Sequence, residues 1–262
     1  MRNTRLGNVL LPTATALVFL AIWQIGVGFL SVPSYLIPTP WSVIVVLVQS
    51  LVSGFLWTDI WATVSAIIIG YAVGCVLAFL CAAAVSEFSL LERAFYPLIV
   101  AFQSVPKVAL APVIVVWFGF DLASKVVLIC LICFFPCFVN TVVGLKSCPT
   151  DLIDLYRAFG ARRAQIFWSI KVPSALTQIF AGLEISVVLA LLGAVVAEFV
   201  SSRHGLGHVI QAASADFNVA LMFASVVVLS IIGVLSTQLI AAIRHRVAFW
   251  EPGQSSARTS AP

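Results

Sequence analysis

The fold class predicted here is an all-α polytopic membrane protein, and three observations predict it. Hydrophobic residues make up 62% of the 262-residue chain and charged ones only 9%, against about 45–50% and about 25% in soluble domains. Six apolar runs reach the roughly 20 residues that a helix needs to cross about 30 Å of hydrocarbon: Val9–Leu30, Ile60–Val85, Leu98–Phe118, Ala123–Leu145, Ala175–Val200 and Val219–Ile243. Six spans put both termini on the same side of the membrane. Assigning the loops alternately then gathers Arg2, Arg5, Arg93, Lys146, Arg157, Arg162, Arg163, Lys171, Arg244, Arg246 and Arg258 on one face. Only Lys125 and Arg203 remain on the other, with Lys107 inside a span. By the positive-inside rule the crowded face, and with it both termini, is cytosolic. The net charge of +4 is thus a topology signal. Its bases are scattered through loops rather than gathered into a stripe, which excludes a nucleic-acid partner.

Arg2 and Arg5 ahead of the first run resemble a secretion signal, but the run continues to Leu30 with no small-residue cleavage site. A cleaved signal has an apolar region of only about 7–15 residues, so a retained first span is expected. Pro33, Pro38 and Pro40 then forbid regular helix, and the apolar run that follows ends by Val52, too short to cross. An interfacial helix outside is predicted, with Trp41, Trp57 and Trp61 at headgroup level. Gly70 and Gly74 in the second span form a small-xxx-small pair suited to close helix packing. After a turn with Glu87, Glu92 and Arg93, the third span carries Pro106, Lys107 and Pro112. Such an interrupted backbone is tolerated at membrane depth where protein or a water-filled cavity satisfies it, so this span is expected to face a pathway. The organisation read from these elements is residues 1–58 as a first helix plus interfacial segment, 59–243 as the core, and 244–262 as a basic end with a polar, disordered tail.

The long polar interruption Asp151–Glu184 is the likeness-bearing stretch. Leu152, Leu155, Tyr156 and Phe159 recur at helical spacing and make one face of a short helix apolar. Gly160 ends that helix, and Ile166, Phe167 and Ile170 lead to Pro173, where a change of direction is expected. Alone, such a loop is also compatible with an amphipathic helix lying on the membrane surface. The spacing from Asp154 to Gly160, Ile170 and Pro173 resembles the Glu-Ala-Ala loop of ATP-binding-cassette importer permeases. Asp154, Leu155 and Tyr156 stand where the family has Glu-Ala-Ala, and Val172 replaces its leucine. The likeness runs from about Asp59 to Ile243, including SVPKVALAPVIVVWFG, the GLGHVI segment and the closing RHR. It is to the nitrate, taurine and sulfonate branch of the type I importers.

This resemblance implies a permease core of the type I importer fold in the bacterial inner membrane, surrounded by lipid, whose loop at 146–174 docks on a separate ATPase through Asp154, Leu155, Tyr156, Ala158, Gly160, Ile170 and Pro173. It also implies an extracytoplasmic solute-binding protein, a second permease copy forming a homodimer, and import of a small polar or anionic solute. Nitrate, sulfonates, taurine, pyrimidine precursors and flavins all have similar permeases.

Fixed charges within the spans are the candidate pathway residues. Lys107 at mid-membrane costs about 2.5–3.5 kcal/mol on insertion scales, and Glu184, at similar depth in the fifth span, is the expected partner. Glu198 lies fourteen residues further on, nearly four turns, so both carboxylates are expected on one pathway-lining face. Glu198 reads either as an outer gate or receptor contact, or as an interfacial carboxylate bonded to nearby backbone. Pro106 and Lys107 complete the set.

Cys130, Cys133 and Cys137 resemble a ligand stripe, but with no histidine near them they read as small buried hydrophobes. Cys148 faces the reducing cytosol. His204 and His208 have a zinc-compatible spacing, yet Gly205 and Gly207 argue for a loop or re-entrant turn. No metal or cofactor is expected. The chain contains no Gly-Lys-Ser/Thr phosphate loop and no nucleophile with a base and orienter, so no catalytic residue is assigned. The rival reading is an autonomous ion-coupled secondary transporter with Glu184 and Glu198 as relay groups. A membrane-embedded enzyme or scaffold is weaker still.

Overall fold

The computed structural model describes residues 4–30, 33–120, 122–201 and 203–248. The polar tail, Arg2 and Arg258 lie outside the described residues, which are helical throughout apart from short connections. In chain order the helices are α1 (Thr4–Phe29), α2 (Pro40–Val52), α3 (Trp57–Glu87), α4 (Ser89–Gln103), α5 (Ala111–Phe118), α6 (Leu122–Lys146), α7 (Thr150–Ala158), α8 (Arg163–Ile166), α9 (Val172–Ser201), α10 (Leu206–Ala215) and α11 (Val219–Val247). Among the described residues four helices are long and apolar enough to cross a membrane: Trp57–Glu87, Leu122–Lys146, the continuous helix Arg163–Val200, and Val219–Val247. A bent pair of helices makes a fifth if it counts as one span.

That bent pair bears out the interruption expected in the third span and corrects its bounds. The run Leu98–Phe118 is not one rod: α4 already begins at Ser89, and the segment Lys107–Phe118 leaves it at 86°. Pro106 supplies the break, because it cannot donate to the α4 ladder and disfavours helical backbone in the residue before it. A 3₁₀ turn, Lys107–Leu110, restarts the chain, and Pro112 sits in the first turn of α5, where a missing N–H costs nothing.

The chain forms two compact units. The first comprises residues 1–63 and 202–230. In it α2 starts at Pro40, with Thr39 as N-cap accepting from the Ser42 amide at 3.2 Å. The Trp23 and Phe223 rings lie 5.7 Å apart, and Gln24 accepts the Trp41 amide at 3.2 Å. Trp41, Trp57 and Trp61 are all exposed. The predicted loop around His204 and His208 is corrected here. His208 lies inside α10 despite Gly207, because that helix's free amides find side-chain acceptors on α3: Asp59 takes Gly205 N–H at 2.8 Å and Thr63 takes Leu206 N–H at 2.9 Å.

Among the described residues the second unit comprises 64–201 and 231–248, with α6 and α9 as its centre. On α9 the buried positions Ala175, Gly182, Ser186, Ala190, Ala194 and Ala197 recur at helical spacing and leave almost no side chain between the two backbones. A Cβ on Gly182 would stand 3.2 Å from Cys137 Cα and 3.2 Å from Pro136 O. Lipid tails are as apolar as leucine, so close backbone approach and packing hold such helices together. Cys133 and Ser186 add a reciprocal pair, each donating to the other's carbonyl, at 3.2 and 3.0 Å. Gly70 and Gly74 do the same for α3: a Cβ at Gly74 would meet the Cys130 carbonyl oxygen at 3.0 Å. The predicted small-xxx-small pair is a contact with α6.

Candidate functional site: the loop at α7 and the charged side chains

The nine residues of α7 follow Pro149, with Asp151 in the first turn and Arg157 in the last, each suited to its end of the helix dipole. None is buried. Leu152, Leu155, Tyr156 and Phe159 are exposed, Phe159 at 82%. The side that packs is carried by Ile153, which joins Ala161 against Cys148, Ile166 and Ile170. The apolar face predicted from periodicity is therefore the outer face of α7. Asp154 pairs with Arg157 at 3.0 Å in the open, and Ala158 ends the helix.

Gly160 takes φ +78°, a left-handed conformation that costs an L side chain roughly 1–2 kcal/mol. The turn it makes lets Ala161 N–H reach the Tyr156 carbonyl at 3.0 Å, a C-terminal cap. The change of direction expected at Pro173 does not occur. Arg163–Val200 is one helix of 38 residues, and a π turn, Phe167–Lys171, stands just before the proline, with Val172 N–H bonded to Phe167 O. The wide turn shifts the hydrogen-bond register by one residue where Pro173 has no N–H to give and where its ring would press on the preceding turn. Ile170 lies on the buried side of this turn.

The proposed pair of Lys107 and Glu184 is likewise corrected. Lys107 Nζ donates to the Gln103 carbonyl at 3.0 Å and stands 4.4 Å from the centroid of the Phe135 ring. Gln103 is the last residue of α4, so the cation meets an orphan carbonyl at the negative end of a helix dipole and an aromatic face. Glu184 pairs instead with Arg244 of α11, at 3.0 Å. Glu198 is fully buried and pairs with Lys125 at the start of α6, at 3.5 Å. Lys125, assigned to an outer loop from the sequence, is itself only 5% exposed. The two carboxylates thus leave α9 toward different helices and do not share one open face. Pro106 is exposed at the bend.

Further ion pairs tie α9 and α6 to the first helices of this unit. Lys171 of the π turn meets Glu87 at the end of α3 at 2.5 Å, and Lys146 meets Glu92 of α4. Sequence reasoning missed Lys125, Arg244, Asp59 and Thr63 as partners. Periodicity placed Lys125 and Asp59 at the rims of spans, but pairing across helices leaves no mark in one sequence. Among the described residues no group of three or more His, Cys, Asp or Glu is positioned to hold a metal.

Residues 74–249 match the family described as binding-protein-dependent transport system inner membrane component. The chain belongs to this family. The permease is 36% identical over 243 residues to the formylaminopyrimidine transport permease protein ThiX of Halalkalibacterium halodurans, covering 93% of this chain and 96% of that one. On the branch expected from the sequence, it is 27% identical over 248 residues to the taurine transport system permease protein TauC of Escherichia coli, covering 93% and 90%. Its fold is that of the inward-facing MetNI methionine ABC transporter structure, with TM-score 0.66 at 18% identity, over 74% of this chain and 98% of that one. The permease is therefore a multi-pass inner-membrane subunit of an ABC importer, a family of transmembrane components that are not themselves catalytic.

Proposed function

We propose that this permease forms the transmembrane pathway for a small polar or anionic solute and takes its driving force from a separate ATPase that docks on α7. The observation that carries this reading is the outward apolar face of α7, Leu152, Leu155, Tyr156 and Phe159, exposed on a loop whose end runs unbroken into α9. A force on α7 reaches the centre of the permease core through one continuous helix, with Gly160 as the pivot and the π turn as the compliant segment. Asp154, Leu155, Tyr156, Ala158, Gly160, Ile170 and Pro173 compose the coupling loop in this reading. The core, residues 59–243, makes five crossings and α1 makes a sixth; the permease works as a homodimer, has both termini in the cytosol, and receives solute from an extracytoplasmic binding protein. Pro106 and Lys107 at the bend, with Glu184 and Glu198, are the pathway candidates.

The solute class rests on relatives named for a formylaminopyrimidine and for taurine, two different chemistries, so the delivering receptor sets selectivity. The test is co-purification of the permease with the ATPase encoded beside it, for the natural sequence and for Phe159→Asp with Leu155→Asp. The double variant should insert normally, lose the ATPase and stop transport. Retained ATPase and full uptake would overturn the reading. Uptake that persists without ATP while ion gradients are clamped would favour the ion-coupled alternative.

A further inference from the structure

A cavity of about 180 Å³ lies behind α7, lined by Glu87, Ile153, Arg157, Arg163, Ile166 and Lys171. Ile153 and Ile166 make an apolar floor. Three cations reach it from three successive segments, α7, α8 and the π turn. Glu87 answers Lys171, and Asp154 answers Arg157 in the open, where both side chains are more than two-thirds exposed. The Arg163 guanidinium is in no ion pair among the described residues. The cavity therefore carries surplus positive charge and a free planar fork of donors.

Its depth follows from α3. Glu87 terminates a 31-residue apolar helix long enough to cross the bilayer, so it stands where hydrocarbon gives way to headgroups. Lys171 is fixed to the same level by its pair with Glu87. Trp168, 61% exposed, lies with its ring 6.4 Å from that of Phe79 on α3, the environment that tryptophan favours at a membrane boundary. A guanidinium fork beside a lysine at this depth matches a phosphate, which accepts two parallel N–H bonds from arginine.

We propose that this cavity is a phosphate site that seats the headgroup of an anionic phospholipid. Arg163 is its principal donor, Arg157 the second, and Lys171 shares its charge between Glu87 and the phosphate. The bound headgroup links the end of α3 to α7 and the π turn, so it braces the loop against the bilayer. The proposal concerns binding by the chain itself and stands whether or not an ATPase docks on α7.

The experiment reconstitutes the full chain into nanodiscs of phosphatidylcholine doped with labelled phosphatidylglycerol and measures retention of the label. Enrichment of phosphatidylglycerol over phosphatidylcholine is expected, falling about tenfold in Arg163→Gln, the loss of a charge-assisted hydrogen bond to the phosphate. Arg157→Gln should lower it in the same direction. Arg162→Gln, an exposed neighbour that does not line the cavity, should leave it unchanged. Melting in pure phosphatidylcholine discs checks that every variant is folded. Equal losses for Arg162→Gln and Arg163→Gln would mean a diffuse basic surface and overturn the site, as would the absence of any enrichment. If inorganic phosphate alone raises the melting temperature in phosphatidylcholine discs in an Arg163-dependent way, with no enrichment of the labelled lipid, the ligand is soluble phosphate and the lipid assignment falls.

Discussion

Lys125 and Glu198 are both buried and pair at 3.5 Å, on stretches of α6 and α9 whose neighbours Leu128 and Ala197 belong to an apolar cluster. Removing one partner of a buried pair typically costs about 3–5 kcal/mol, whereas replacing both with apolar residues of similar volume is often neutral. Lys125→Met should therefore lower the melting temperature in a detergent thermal-stability assay, and Lys125→Met with Glu198→Leu should recover it. Equal stability of the two variants would show that the charges do not depend on one another. Glu184 and Arg244 are only about 30% exposed, so a swap, Glu184→Arg with Arg244→Glu, should retain folding better than either single reversal. Hydropathy and depth placed Lys107, Glu184 and Glu198 within spans, while Lys125 and Arg244 were read as loop bases. Their pairing was illegible, because Lys107 and Glu184 at matching depth look complementary in sequence while each has a nearer partner in space.

At the scale of the element, the seam between α6 and α9 depends on what is missing from it. A Cβ on Gly182 would also stand 2.9 Å from Asn140 Cβ, besides the α6 backbone atoms at 3.2 Å. Gly182→Val should lower stability by about 1–3 kcal/mol through overpacking, read as a lower melting temperature. Gly28→Ala in α1, with nothing within 4 Å of its added carbon, is the matched control and should leave it unchanged. Gly160→Ala should cost about 1–2 kcal/mol locally without lowering global stability, and its effect belongs in the coupling of ATP hydrolysis to uptake. Gly160→Asn, which tolerates that backbone better, should be milder.

The α7 periodicity was fully readable, but periodicity says only that an apolar face exists. That Ile153 takes the inward position and the predicted face turns outward was decided by Cys148, Ile166 and Ile170. Pro173 shows the opposite failure. A proline rule valid for an α register broke down because a π turn changed the register.

For the whole molecule, the prediction is topological. Cysteines introduced at residues 4 and 262 and in the α7 loop should all be protected from an impermeant thiol reagent applied to intact cells. One introduced at Asn218 should react, after the native cysteines are replaced. Reaction at either terminus would reverse the orientation read from the bases. The permease reconstituted alone should show no uphill transport, and adding its ATPase and receptor should restore it.

The amino-acid order by itself determined that this chain lives in a membrane, where most of its long helices run, which polar loop interrupts them, and which family it joins. These follow from hydrocarbon thickness, from the cost of moving charge across it, and from one turn chemistry at Gly160, all of them local. Only the tertiary structure decided that Lys125 belongs to Glu198, Arg244 to Glu184 and Lys107 to the end of α4. It also decided that small residues on α9 receive α6 and that three bases meet behind α7. Those outcomes depend on which helix lies beside which and on how the chain bends, and the pairings of Lys125 with Glu198 across 73 residues and of Arg244 with Glu184 across 60 leave no periodic trace in the chain that makes them.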